Sequence, residues 1–341
     1  MAASSLKAAV AAAMVAIVLA ACAGTTPTAY SAAPLLIPGR VDPSGAAHGG
    51  GTMHPDRDRS WMHLLSQARC PVQQVLPPCG LLYVSNYHDD NVLVYQNDQM
   101  VGKLTGFKGP DGVCGDKQGN VWIVNNLGAN IVEYAHGGQS PIAQLSDDSA
   151  YPLGCSVDAV TGKLAVTNVF GPSGGPGSIA VYTNAAGVPT RYRDPNIYYV
   201  YFCGYDNQGN LFVDGLDTAG KFRFAELPRN GTTFTDITIG ATIYFPGDVR
   251  WDGHHVAVGD QEYGNQVASG IYRVDGASGQ VTGTTVFGAA RDVVGFWTEA
   301  WFVIAADADR NVVDLYRYQN ASAATDKLKH FDGAYGVAIS R

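Results

Sequence analysis

Charge is scarce in this chain, and clustered charge scarcer still. Only 15% of the 341 residues are Asp, Glu, Lys or Arg, the 22 basic residues are scattered, and the formal net charge is −8. Without a basic patch the electrostatic footprint of a nucleic-acid binder is missing, so no nucleic-acid partner is expected. Short signatures of common chemistries are missing too: there is no H-E-x-x-H, P-loop or C-x-x-C. The body of the chain shows no helical period. What is abundant instead is Gly (41), Tyr (18) and apolar side chains (46%), the composition of a turn-rich all-β protein.

The organising stretch is 109–138, GPDGVCGDKQGNVWIVNNLGANIVEYAHGG. It reads as three short strands separated by tight turns, with Gly119 placed where the D-K-Q-G-N turn needs positive φ. The same grammar recurs. First-strand runs fall at 112–116 (GVCGD), 154–158 (GCSVD), 202–206 (FCGYD), 248–252 (DVRWD), within 292–297 (DVVGFW) and at 336–340 (GVAIS). Second-strand runs are LYVSN, VWIVN, LAVTN, LFVDG, VAVGD and WFVIA, and third-strand runs follow each. A spacing of roughly 42–48 residues is the period of a four-stranded propeller blade. The first repeat, beginning near Leu81, has no first strand before it, and GVAIS has no second or third strand after it. The economical solution is a ring in which the C-terminal run supplies the innermost strand of the first blade, which also removes open sheet edges. The expected fold is therefore an all-β, six-bladed propeller of four-stranded antiparallel blades over 81–341, and a monomeric domain is expected.

Ahead of the ring, Lys7 and the apolar run 8–19 have the form of a signal peptide, and Leu19-Ala20-Ala21-Cys22 resembles the lipobox of bacterial lipoproteins. That resemblance implies a signal peptide over 1–21, lipidation at Cys22, export and a membrane anchor at the cell envelope, in the outer membrane if the host has one. Residues 22–58, rich in Ala, Pro, Gly, Ser and Thr, read as a flexible tether. Residues 59–80 read as a leader packing on the domain, with a short helix over 60–68.

The run P-D-G-V-C-G-D-K-Q-G-N-V-W-I-V-N-N at 110–126 resembles NHL repeats and the related SMP-30-like and streptogramin-lyase-like six-bladed propellers. The leader, LLYVSN and FCGYDNQGNLFVDG resemble a group of exported bacterial propeller lipoproteins. NHL-type rings imply a binding module, here for a protein, glycan or small ligand. SMP-30-like lactonases imply a divalent cation near the axis, and with it the alternative of a metal-dependent lactonase or lyase; this chain shows no counterpart of the family's early ligating Glu.

Particular residues carry the functional expectations. Asn86, Asn125, Asn168 and Asp214 end consecutive second strands; their oxygens suit either turn capping or a ligand-facing set, with Asn125, Asn168 and Asp214 as candidate ligands of a cation such as Ca²⁺. Glu262 and Tyr263 lie in the long connection 261–269, on the same face. Asp116, Asp158, Asp206 and Asp252 precede tight turns and are expected to bond turn amides. Charges at Asp248, Arg250, Arg291 and Asp292 lie at or beside inner strands, where a channel-lining pair is expected. Aromatic residues crowd the same region (Tyr198, Tyr199, Tyr201, Phe202, Tyr244, Phe245), either as wedge filling between blades or as a platform. Five cysteines follow Cys22. Cys70–Cys79 is a plausible local disulfide. Cys155 and Cys203 share a slot relative to the terminal Asp, whereas Cys114 is one residue on and faces the other way; since opposite faces of successive blades meet, the expected bridge is Cys114–Cys155, with Cys203 buried and free.

Overall fold

The computed structural model describes residues 80–341, except 97, 148–150, 267, 289, 300 and 320–322. Cys22, the tether, the 60–68 helix and the Cys70–Cys79 pair lie outside the described residues.

Six sheets of four antiparallel strands form the ring. Blade 1 runs from the inside outward as β24 (Ala334–Ser340), β1 (Leu81–Asn86), β2 (Asn91–Gln96) and β3 (Gln99–Leu104). Blade 2 comprises β4 (Pro110–Gly115), β5 (Val121–Asn125), β6 (Asn130–Tyr134) and β7 (Pro141–Ser146). Blade 3 is β8 (Pro152–Val157), β9 (Leu164–Phe170), β10 (Pro176–Tyr182) and β11 (Thr190–Tyr192). Blade 4 is β12 (Tyr199–Tyr205), β13 (Leu211–Leu216), β14 (Phe222–Leu227) and β15 (Thr235–Asp236). Blade 5 is β16 (Pro246–Trp251), β17 (Val256–Asp260), β18 (Ser269–Val274) and β19 (Val281–Phe287). Blade 6 is β20 (Val293–Glu299), β21 (Phe302–Asp307), β22 (Val312–Arg317) and β23 (Asp326–Leu328).

The ring closes as expected: β24 pairs with β1 from Leu81↔Ser340 to Val84↔Val337. Second strands are enclosed on both faces, β1, β5, β13, β17 and β21 being buried throughout, which explains their unbroken apolar runs. Outer strands such as β3 and β7 are mostly exposed. Between neighbouring blades the faces interlock: Cys114, Trp122 and Ile131 of blade 2 pack with Leu164, Val166 and Tyr182 of blade 3. A fully buried side chain of this size contributes roughly 1.5–3 kcal/mol.

Cys114 and Cys155 are bridged with Cα atoms 5.8 Å apart, and Cys203 is free and buried. The turn carboxylates behave as expected. Asp116 accepts from the amides of Gln118 and Asn120 at 2.9 and 2.8 Å, and Asp206 does the same for Gln208 and Asn210. Gly119, at φ +86, presses against the carbonyl of Arg341, so any Cβ there would collide with the chain end.

Every inner strand carries one extra residue against its second strand, near the point where it begins. This repeated β-bulge bends the strand and re-aims side chains. In blade 2 it falls at Asp111–Gly112, between the pairs Pro110↔Asn125 and Val113↔Ile123.

Candidate functional site: the axis and the face where inner strands begin

The six bulges bring one element of each blade to the axis. Gly112, Gly154, Phe202, Asp248, Gly295 and Gly336 meet there with Asp111, Tyr335 and Arg250 around a cavity of about 10 Å³, room for one water-sized group. Glycine is required by the crowding: a Cβ on Gly112 would stand 2.5 Å from the Leu153 carbonyl, and one on Gly295 2.5 Å from that of Tyr335.

Asp248 and Arg250 form the expected channel-lining pair, Nε to Oδ2 at 2.7 Å. Asp248 also accepts from the Val249 amide at 2.9 Å and the Phe296 amide at 3.3 Å. The Arg250 guanidinium donates to the carbonyls of Val113 at 2.9 Å and Val337 at 3.2 Å, and its centre lies 4.9 Å from the Trp297 ring centroid. One side chain of blade 5 thus ties blades 1, 2 and 6 together and fills the axis. Burial pushes the Asp248 carboxyl up, against the opposing pull of Arg250.

Asp111, on the blade-2 bulge, is 2% exposed, and its Oδ1 has no hydrogen-bond partner. Burial, and then the charge of Asp248, hold its carboxyl well above the usual carboxylate range. Beside it Tyr335 stacks on Tyr87 with centroids 4.6 Å apart, and His88 lies edge-on to both rings at 6.1 and 5.2 Å. Nothing in the sequence pattern singles out Asp111; only the bulge, which breaks period-2 alternation, turns it to the axis.

The polar ends of the second strands serve their own blades. The last residue accepts from the incoming loop: Asn86 from the Asp332 amide at 2.6 Å, Asn125 from Lys108 at 2.6 Å. Asp260 takes the same role for Tyr244 and Phe245, and Asp307 for Arg291. Asn168 donates to Asp147 at 3.0 Å, its Oδ1 being without a partner. Asp214 does not belong to this row. Gly215 pairs with Val200 as Asn168 pairs with Pro152, so Asp214 sits one residue earlier and points the other way. There it accepts from the Phe202 amide at 2.8 Å, as Ser85 does from Gly336 and Thr167 from Gly154: these three side chains satisfy amides that the bulge releases from the ladder. Asp214 is fully buried with Oδ2 unpartnered, and burial holds its carboxyl well above the normal range. Asn125, Asn168 and Asp214 are thus not gathered round one point: Asn125 accepts from the Lys108 amide, Asn168 donates to Asp147, and Asp214 faces the other way. Among the described residues no three His, Cys, Asp or Glu side chains come together as metal ligands.

The aromatic residues divide. Phe202, Tyr205 and Phe296 are buried between blades. The others emerge on the face where inner strands begin, as a run of edge contacts across blades 3 to 5: Tyr151–Phe170 at 5.5 Å, Phe170–Tyr199 at 5.4 Å, Tyr199–Tyr198 at 4.8 Å and Tyr201–Phe245 at 5.4 Å. Tyr151 and Tyr244 are 39% and 43% exposed. Tyr263, in the turn Tyr263–Gln266, lies 5.7 Å from Tyr272 on this face, and the Glu262 amide donates to Asp260. His254 and His255 sit in the turn held by Asp252, on the opposite face.

No protein-family model matches the sequence, and no curated protein matches it. Solved structures do. A chain in the nidogen/laminin complex superimposes with a TM-score of 0.61 at 13% identity, covering 77% of this chain and 98% of that one. A protein of unknown function from Bacteroides caccae gives 0.58 at 11% identity, covering 77% and 99%. Streptogramin B lyase gives 0.47 at 13% identity over 65% and 68%. At these identities the likeness is one of fold: a six-bladed propeller.

Proposed function

We propose that the protein is an exported propeller, tethered to the envelope through a lipid on Cys22, that binds a ligand without transforming it. The carrying observation is the aromatic run on the face where inner strands begin. Rings meeting edge to face, half-buried along the run and exposed at Tyr151 and Tyr244, present a stiff apolar strip with phenolic hydrogen-bonding tips, suited to a sugar ring or an extended peptide. The axis supports the same reading, because Arg250 and Phe202 fill the space in which a metabolite-sized substrate would sit, whereas small-molecule sites occupy several hundred Å³. The disulfide between blades 2 and 3 accords with a location outside the reducing cytoplasm.

The test is a printed array of glycans and envelope peptides probed with full-length protein in detergent. Bound spots are expected to fade on Phe170→Ala/Tyr199→Ala, while the variant still melts in one cooperative transition. An array without spots, or spots indifferent to that variant, would overturn the reading. Independently, Cys22→Ser should move the protein from the membrane fraction to the soluble one; continued membrane retention would remove the tether.

A further inference from the structure

The axial cavity contains a charge imbalance. Its lining holds two carboxylates, Asp111 and Asp248, and one guanidinium, Arg250. Arg250 is committed to Asp248 at 2.7 Å. Asp111 is left with a buried, unpartnered Oδ1 at a cavity of about 10 Å³. A lone carboxylate in such a place is neutralised by a proton or by a cation. One wall is Tyr335, backed by the face of Tyr87, and aromatic faces attract cations.

Size and chemistry select among cations. A divalent ion takes six or more oxygens at close range, and Asp248 already spends its acceptors on Arg250 and two amides. A guanidinium or a trimethylammonium head exceeds a water-sized cavity. A primary ammonium is water-sized, carries three donors and sits on a slender alkyl stem.

We infer that the mouth of the axis receives the primary ammonium group of a ligand, with Asp111 as its counter-ion and the Tyr335 ring as its wall. The shared chemistry is that of a lysine side chain and of a free alkylamine. This rests on the binding reading of the same face: the ammonium anchors at the axis while the rest of the ligand lies over the aromatic run. Asp111 must shed its proton to pair with the ammonium, so affinity rises with pH until Asp111 is ionised and falls again as the amine deprotonates near 10. The charged and titratable groups facing Asp111 are Asp248 and Arg250 from β16, Tyr335 from β24 and Tyr87 after β1.

The experiment is calorimetric titration of the full-length protein at pH 8 with n-butylamine, with the tripeptide acetyl-Ala-Lys-Ala-amide, and with its Nε-acetyl form. Binding of the lysine peptide, and its weakening by about tenfold or more on Nε-acetylation, is expected from loss of a charge-assisted bond. Asp111→Asn, checked for an unchanged circular dichroism spectrum, should cause a similar loss. Butylamine binding as well as the peptide assigns the site to free amines; a clear advantage of the peptide assigns it to a protein lysine. Equal affinity for the acetylated and free peptides, indifference to Asp111→Asn, or no binding by either amine would leave the cavity to a single water and overturn the inference. Array ligands lost on Phe170→Ala/Tyr199→Ala but indifferent to Asp111→Asn would sink the ammonium site while sparing the binding face.

Discussion

Ser156→Cys should create a second cross-link, between blades 3 and 4. Cys114 and Cys155 hold the third and second places of the five-residue inner runs on consecutive blades, with Cα atoms 5.8 Å apart. Ser156 and Cys203 hold the same two places one blade further on. The Ser156 hydroxyl already faces blade 4, where it accepts from the Tyr205 amide at 3.0 Å. One more blade on, a Cβ on Gly204 would stand 2.4 Å from the Val249 carbonyl, so these two places also converge there. The new bridge would close a loop of about 47 residues, which in the chain-entropy treatment stabilises by about 4 kcal/mol. Losing the Tyr205 hydrogen bond returns about 1 kcal/mol. The net gain of about 3 kcal/mol raises Tm by roughly 6–12 °C for a ring of this size. The assay is alkylation in denaturant without reductant, followed by peptide mass analysis, beside a melting curve. In the parent Cys203 takes the label; in the variant it should not until reduced. A Cys203 that still labels would refute the assumed equivalence of successive blades. A bridge that forms without raising Tm would refute the magnitude.

Three further outcomes follow from the buried charges and the ring closure. Arg250→Met leaves Asp248 buried without its partner and cuts the ties to Val113 and Val337, costing about 3–5 kcal/mol in urea unfolding; adding Asp248→Asn should recover part of this, and no recovery would argue against stranded charge as the cause. Asp214→Thr, the residue blade 3 uses at that place, should stabilise increasingly as pH rises. The folded carboxyl is pushed above its unfolded value near 3.9, so the native state binds the extra proton, and the wild-type contribution is complete below that pH and lost above it; a gain that stays constant from pH 4 to 8 refutes this. Ending the chain after Gly333 should abolish the cooperative melting transition, since β1 loses its inner partner; a truncated chain that melts like the parent would show that the pairing is dispensable.

The blade count, the strand assignments, ring closure and the Cys114–Cys155 pairing were all legible in the sequence, because each depends on a repeat read against itself. GVAIS needed a partner, and LYVSN lacked one. Misreading began where blades depart from each other by a single residue. Asp214 ends LFVDG almost as Asn125 ends VWIVN, but the glycine after it holds the slot, and a slip of one reverses a strand residue. Asp260 and Asp307 do the work of Asn86 and Asn125 and escaped notice for the same reason. Asp111 was hidden differently. A bulge has no local signature as distinct as a D-x-x-G-N turn, so nothing marked the carboxylate just ahead of the GVCGD run as one that faces the axis. The aromatic crowding was visible; its division into packing between blades and an open face depends on which side of a bulge each ring falls.

The closure of the ring by β24 also sets an order of events. A chain is synthesised from its N-terminus, so β1, β2 and β3 emerge first and then wait, three strands of a four-stranded blade, while five complete blades are made behind them. The inner edge of β1 remains an open template until β24 appears, when Ser340 can meet Leu81. A product cut short before β24, even after blade 6, carries an unpaired inner edge on β1, a template for aggregation. Only a chain that includes β24 covers the inner edge of its first blade.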